Sequence, residues 1–296
     1  MNNKKFAAFV VTFRRPDVLM DTIKEILSQT RPPDKILVVD NNDNDDTKNN
    51  LAQMYPQVTH LKVGYNAGYA GAGKIGLETL AKEGYEWIFW GDDNDPPHMR
   101  DTFEKLLQLA DSYKGKCGQV GVVGHRLNKY TGILKRTTNE ELKQNEYVKV
   151  DTIGGGMIKI ISGKCILDGV VPEAKLFFGF EDLDFDLSQK AAGYDLVVHS
   201  GLFLALREKW NRMQVKRVIT KKKDERVLWR DYYSIRNLLF IMRKNGHYAG
   251  FLSVLFTSFF KSVWSYKYGF RYGTLVMKNT CKAIRDYSLS RYYKTI

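Results

Sequence analysis

A chain of 296 residues with 44% hydrophobic content is long enough to bury a core and is neither fibrous nor compositionally disordered. Its three cysteines, Cys117, Cys165 and Cys281, are odd in number and lack any short paired spacing, which argues against a disulfide framework or a zinc knuckle and for reduced thiols. The net charge of +13 is uneven: residues 207–296 carry 21 basic and 5 acidic side chains, residues 1–206 carry 25 and 28, so a polyanion partner is expected for the C-terminal part alone. No run of 18 uncharged apolar residues suggests a spanning helix, and the apolar run 6–11 is too short for a signal peptide core.

In chain order, the first half alternates β-rich runs with helical patterns. Strands are predicted over residues 6–12, 35–40, 58–63 and 87–90. Helices are predicted over 17–29, 46–54, 71–82 and 99–110. This alternation predicts a mostly parallel sheet flanked by helices, with ligands bound beyond the carboxyl ends of the strands. That rim carries Thr12-Phe13-Arg14, Asp40-Asn41-Asn42, Asn66 and Asp92-Asp93. Further strands are predicted at 120–123, 148–153, 157–161 and 196–198, and a helix at 185–192. Residues 211–228 read as a basic linker, followed by an aromatic, basic helix at 231–244 and an apolar continuation at 249–263.

Four clusters carry chemistry. The run Trp87 to Asp92-Asp93-Asn94-Asp95 ends an apolar strand in carboxylates, whose mutual repulsion is relieved by a divalent cation that also touches phosphate. Alternatively it is a solvated acidic turn. Asp40, at the end of an Ile-Leu-Val-Val run, is placed to accept from a base imide or a ribose; Asp is also a common turn former there. The Gly71–Gly76 segment spells G-x-G-x-x-G. It follows the third strand rather than the first, so close helix–sheet packing beside a nucleotide is the simpler reading than a dinucleotide fingerprint. Phe177-Phe178-Gly179-Phe180-Glu181-Asp182-Leu183-Asp184 sets carboxylates among aromatics, where a raised pKa suits a general base. The same acids also suit a helix N-terminus.

The order of these clusters resembles the family-2 inverting glycosyltransferases of the GT-A fold. The resemblance runs over roughly residues 5–210, through Val10-Val-Thr-Phe-Arg14, Asp40-Asn-Asn42, Asn66-x-Gly68-x-Ala70-Gly71, the Asp92 cluster, Gly154-Gly155-Gly156-Met157, Phe180-Glu181-Asp182 and Ala192-Gly193-Tyr194. Within that family the chain looks most like bacterial rhamnosyl- and galactofuranosyltransferases of surface polysaccharide synthesis. The resemblance implies an α/β catalytic domain at 1–210 and a helical region at 211–296. It implies a donor site with Thr12, Arg14, Asp40, Asn66, Gly71 and Asp92, with Asp40 on the base. A Mn²⁺ or Mg²⁺ ion would sit on Asp93 and Asp95, or on Asp92 with Asn94. Gly155, Gly156 and Phe180 would meet the acceptor, and Asp182, paired with Glu181, would be the general base. One departure is plain: where the family often carries a metal-binding His, this chain has Leu206-Arg207, and the earlier His199 reads as structural.

The C-terminal region resembles the family's Tyr-Tyr-x-x-Arg-Asn segment at Tyr232-Tyr233-Ser-Ile-Arg236-Asn237, expected to help close the site. Residues 249–264 with Lys261, Lys267 and Arg271 are expected to touch a membrane interface, which suits lipid-linked acceptors and a location at the inner face of the cell membrane. A helix docked on the catalytic domain is the alternative. The rival functions are a sugar nucleotidyltransferase, which lacks its glycine-rich loop after the first strand, and a basic nucleic-acid module, which leaves the Asp92 cluster unexplained.

Overall fold

The computed structural model describes residues 4–154, 158–214 and 222–296. Elements follow in chain order: β1 (Phe6–Thr12), α1 (Pro16–Leu27), β2 (Lys35–Asp40), α2 (Asp46–Met54), β3 (Thr59–Lys62), α3 (Gly68–Lys82), β4 (Trp87–Asp92) and α4 (Thr102–Ser112). Then come β5 (Cys117–Gly121), the hairpin β6 (His125–Asn128) and β7 (Ile133–Arg136), α5 (Asn139–Gln144), β8 (Tyr147–Lys149), β9 (Lys159–Ser162), α6 (Gly163–Leu167), α7 (Glu181–Ala191), β10 (Asp195–His199) and α8 (Ser200–Lys209). Three long helices complete the chain: α9 (Trp229–Lys244), α10 (Tyr248–Trp264) and α11 (Phe270–Ser288).

The main sheet has eight strands in the order β3-β2-β1-β4-β9-β5-β10-β8. Only β9 and the edge strand β8 run antiparallel to their neighbours. The predicted mostly parallel α/β sheet is therefore present. All of β1 is buried, as a strand covered on both faces must be. Its residues alternate between two cores. Phe6, Ala8 and Val10 join Leu19 and Ile23 of α1 and Phe103 of α4, while Ala7, Phe9 and Val11 join Leu77 and Leu80 of α3.

The glycines of α3 explain how that helix lies so close to the sheet. A Cβ on Gly73 would fall 2.1 Å from the Trp90 ring, and one on Gly76 would fall 2.4 Å from Phe9. The G-x-G-x-x-G segment is a packing device here.

One expectation is corrected. The strand at 148–153 is only Tyr147–Lys149, and Thr152 makes a lone bridge to His125. The β6–β7 hairpin went unanticipated because its four-residue strands lack a usable period. Residues 215–221 of the expected linker, and residue 157 of an expected strand, lie outside the described residues.

The C-terminal helices share a core with the α/β part. Leu127 of β6 and Leu183 of α7 pack with Leu239, Ile241 and Met242 of α9 and Val254 of α10.

Candidate active site

The carboxyl ends of β1, β2 and β4 lie side by side, in register from Thr12 to Asp40 and from Val11 to Asp92. This brings the first, second and fourth clusters of the rim together. Asp93 turns inward and is fully buried. Its Oδ2 accepts from Thr12 Oγ1 at 3.0 Å, its Oδ1 lies 2.5 Å from Arg15, and its carbonyl accepts from Thr22 Oγ1 at 2.6 Å. Burial and the neighbouring Asp92 charge push its pKa up to about 7 against the pull of Arg15. The carboxylates left at the rim are Asp92 and Asp95. Asp92 Oδ1 accepts from the Asp93 amide at 2.8 Å, and Asp95 Oδ1 lies 3.2 Å from His98 Nε2. Of the expected metal pair, then, Asp95 faces outward and Asp93 does not.

Asp40 is also fully buried. Its Oδ1 accepts from the Asn42 amide and side chain at 2.9 and 2.7 Å, and its Oδ2 lies 2.9 Å from His60 Nε2. Asn42 in turn accepts from the Arg14 amide at 2.8 Å, where Arg14 adopts a φ of 58°. The structure thus places Asp40 beneath the rim, fixing the turn that carries Arg14. Asn66 Oδ1 accepts from Gly68 N at 3.0 Å and shapes the entry to α3, while Gly71 is packed so closely that an added Cβ would meet Ala67 at 2.9 Å.

The second acidic cluster opens α7. Lys159 of β9 is buried, its Nζ 2.5 Å from Asp182 Oδ1 and 3.0 Å from the Ile153 carbonyl. Burial works against its charge, yet Asp182 and Asp186 outweigh that and raise its pKa. Among the described residues only Oδ1 of Asp182 is engaged, by Lys159. Glu181 differs. Burial, reinforced by the Asp182 charge, pushes its pKa up to about 8, and its Oε2 has no partner among the described residues. Glu181 thus holds its proton at neutral pH beside Asp182, which is ion-paired with Lys159. Asp186 braces the cluster, accepting from Gln119, Thr152 and the Ile153 amide, with its own pKa pushed up by burial to about 6.

Tyr69 joins the two clusters. Its ring stacks on Trp90 at 5.1 Å, and Trp90 lies 4.9 Å from Lys159 Nζ. Burial, then Asp182, Asp92, Glu181 and Asp95, raise its pKa well above the usual phenol range. One phenol therefore feels both the rim acids and the α7 acids. Sequence reasoning passed over Tyr69, Arg15 and Lys159; a lone Lys inside Ile158-Lys-Ile-Ile161 was the available signal for the last. Phe180 caps α7 in a left-handed conformation, with φ of 64°. Gly155 and Gly156 lie outside the described residues. Arg207 is held by Asn139 Oδ1 and the Thr137 carbonyl, and His199 caps α8 by accepting from Leu202 N.

Three raised carboxyl pKa values have a thermodynamic consequence. Asp93, Asp186 and Glu181 hold protons in the fold that the unfolded chain has released. Their contribution to stability is complete below the ordinary carboxyl range and is lost as pH climbs through about 6 to about 8. The melting temperature is expected to fall between about pH 5 and about pH 8.5, and Glu181→Gln to flatten the upper part of that fall. An unchanged slope in the variant would contradict the assignment.

Among the described residues no three His, Cys, Asp or Glu side chains converge to hold a metal by themselves. The outward Asp92 and Asp95 do suit a hard divalent cation whose other ligands are phosphate oxygens.

Comparison with known proteins agrees with this architecture. Residues 7–162 match the model of glycosyl transferase family 2. Over 107 residues the chain is 35% identical to galactofuranosyltransferase GlfT1 of Mycolicibacterium smegmatis, covering 36% of this chain and 35% of that protein. The Mycobacterium tuberculosis GlfT1 is 32% identical over 108 residues, 36% of each chain. The matched segment thus spans about a third of these relatives' length. Among solved structures, a mannosyltransferase from Pyrobaculum calidifontis in complex with GDP-Man and Mn²⁺ superposes with a TM-score of 0.53 at 13% identity, covering 100% of this chain and 77% of that one. GalNAc-T7 with UDP, GalNAc and Mn²⁺ gives a TM-score of 0.59 at 11% identity, covering 98% and 57%. These structural likenesses concern the GT-A fold. With more than half of the chain matched by the family model, this protein belongs to glycosyl transferase family 2.

Proposed function

We propose that the protein transfers a sugar, with inversion, from a nucleoside-diphosphate donor of the UDP-galactofuranose or dTDP-rhamnose type to a hydroxyl of a glycan or lipid-linked acceptor. The observation that carries this reading is the short path from rim to α7: Trp90, two residues before Asp92, lies 4.9 Å from Lys159 Nζ, whose carboxylate partner is Asp182. The similarity to galactofuranosyltransferases favours galactofuranose as the first donor to try.

In this proposal the nucleotide lies over the ends of β1 and β2, positioned by Thr12, the Arg14 turn and the entry to α3. Asp92 and Asp95 would hold a divalent cation, Mn²⁺ or Mg²⁺, which when bound would supply positive charge to the departing diphosphate. Lys159 fixes Asp182 so that its free oxygen receives the acceptor proton while the acceptor oxygen attacks the anomeric carbon. Glu181, protonated, leaves one negative charge rather than two beside that reaction. Phe180, at the start of α7, borders the acceptor. The test is turnover of UDP-galactofuranose and dTDP-rhamnose with and without Mn²⁺, with the product's anomeric configuration read by NMR. Retained configuration, or no turnover of any nucleotide-sugar, overturns the reading.

The division at 210/211 is part of the same proposal, with the helical region serving attachment. Among the described residues no helix is long and apolar enough to cross a membrane. Instead α10 exposes Leu252, Phe256, Phe259, Phe260, Val263 and Trp264 along one side, with Phe256 68% and Phe260 64% exposed. Lys267, just past the end of α10, sits 5.1 Å from the Trp264 ring. Such a stripe suits an in-plane contact with an anionic bilayer. Phe256→Ser with Phe260→Ser is expected to weaken sedimentation with phosphatidylserine vesicles about tenfold or more. Wild-type protein that ignores such vesicles at low salt excludes the membrane contact.

A further inference from the structure

Two strands beyond β4 the same rim of the sheet carries a cavity of ≈ 400 Å³ whose lining contains no carboxylate. It lies past the carboxyl ends of the parallel strands β5 and β10, under α8. Arg136, Arg207, Arg212 and His125 all line it.

Arg207 is 3% exposed, yet its Nε has no partner among the described residues. Its other nitrogens are fixed, Nη1 to Asn139 Oδ1 at 2.6 Å and Nη2 to the Thr137 carbonyl at 2.7 Å. The guanidinium is therefore oriented, and one donor is unmatched. Arg136 is tethered to the Arg212 carbonyl at 2.5 Å, and the Arg212 guanidinium lies 4.9 Å from the Trp210 ring centre. These cations act on one another. Burial and then Arg136 lower the Arg207 pKa to about 10, while burial, Arg136 and Arg207 hold His125 below its ordinary value. Among the described residues the wall holds no counter-charge, and Glu140 outside it only partly offsets the field, so the gathered positive charge is costly unless an anion arrives.

Guanidinium forks match phosphate oxygens in geometry and charge. The location says which phosphate. Trp210 meets His98 edge-on at 4.8 Å, and His98 pairs with Asp95, so the cavity begins where the acidic cluster ends. It lies on the side away from β1, β2 and β3, where the nucleotide is placed. We propose that this cavity binds a phosphate or diphosphate group carried by the acceptor. The proposal rests on the transferase reading, because only an acceptor occupies that side of the donor.

The probe is inorganic pyrophosphate, titrated by calorimetry into the full chain in EDTA, with and without saturating UDP. Binding is expected in both conditions. The double variant Arg136→Gln with Arg212→Gln, whose side chains are half-buried and exposed, should weaken it at least tenfold. Arg207→Met should weaken it further, with circular dichroism reporting whether that variant folds. Displacement of pyrophosphate by UDP would assign the anion to the donor site and overturn the proposal, as would unchanged affinity in the double variant. Hydrolysis of nucleotide-sugar by the double variant at the wild-type rate would leave the transferase reading standing whichever way the cavity falls. A wild-type chain that binds pyrophosphate through these arginines but turns over no nucleotide-sugar would instead remove the transferase reading.

Discussion

Asp182→Asn is expected to abolish sugar transfer while leaving the affinity for UDP within about threefold of wild type, as loss of a positioned base alone costs on the order of 10²–10⁴ in rate. The variant also removes the counter-ion of a buried lysine. Among the described residues Lys159 has its only carboxylate contact at Asp182 Oδ1, and stranding a buried charge costs about 3–5 kcal/mol. Activity and stability must therefore be read separately. The double change Lys159→Met with Asp182→Asn neutralises both partners, so it should recover most of the lost melting temperature and none of the transfer. Full activity in Asp182→Asn would remove this residue as the base. Recovery of transfer in the double variant would do the same.

The second large effect comes from a residue that acts through the loop leading into α7. Asn237 of α9 is fully buried, and its Nδ2 lies within hydrogen-bonding reach of the carbonyls of Leu176, Phe178 and Gly179, at 2.9, 3.0 and 2.8 Å. The loop it grips is unusual. Phe177 has φ 63° and ψ −61°, closed by the Phe178 amide onto the Leu176 carbonyl at 2.7 Å, which is a γ-turn of the unfavourable hand. Gly179 and Phe180 follow with φ of 83° and 64°. Side chains at positive φ cost about 1–3 kcal/mol each, so such a loop persists only where its surroundings impose it. Arg236 adds a bond to the Leu176 carbonyl at 3.0 Å, and the Phe177 carbonyl accepts from Ala70 N at 3.1 Å. Asn237→Leu keeps the volume and removes the amide. It should destabilise the protein by about 3 kcal/mol, since buried carbonyls left unmatched cost about 1–3 kcal/mol each. Because the loop sets the first turn of α7, kcat should fall at least about tenfold where the variant is still folded, with UDP affinity unchanged. A folded variant with wild-type kcat would show that the clamp is merely structural.

These two residues mark what could be read from one-dimensional information. Alternating apolar runs announced β1, β2 and β4, and acids at their ends announced the rim. That succeeds because strand periodicity and strand ends are local properties. The direction of each acid is not local. Asp93 and Asp95 look equivalent in the run, yet Thr12 and Arg15, some eighty residues away in sequence, draw Asp93 inward. Asp40 stands out as an acid at a strand end, but that His60 and Asn42 surround it is visible only in the fold. The Glu181-Asp182 pair was visible, but Lys159, which decides which carboxyl keeps a charge, sits on a strand reversed within the sheet. The Tyr-Tyr-x-x-Arg-Asn segment was noticed as a likeness; what it grips depended on three carbonyls about sixty positions upstream.

The clamp on that loop also bears on timing. Arg236 reaches the carbonyls of Arg291 and Tyr293, and Tyr233 Oη accepts from the amides of Thr295 and Ile296. The α9 grip is thus itself wedged in place by residues 291–296. Synthesis places Tyr233 and Arg236 after the rim and after α7, so the loop ahead of α7 gains its clamp only once residues 229–296 have joined the fold.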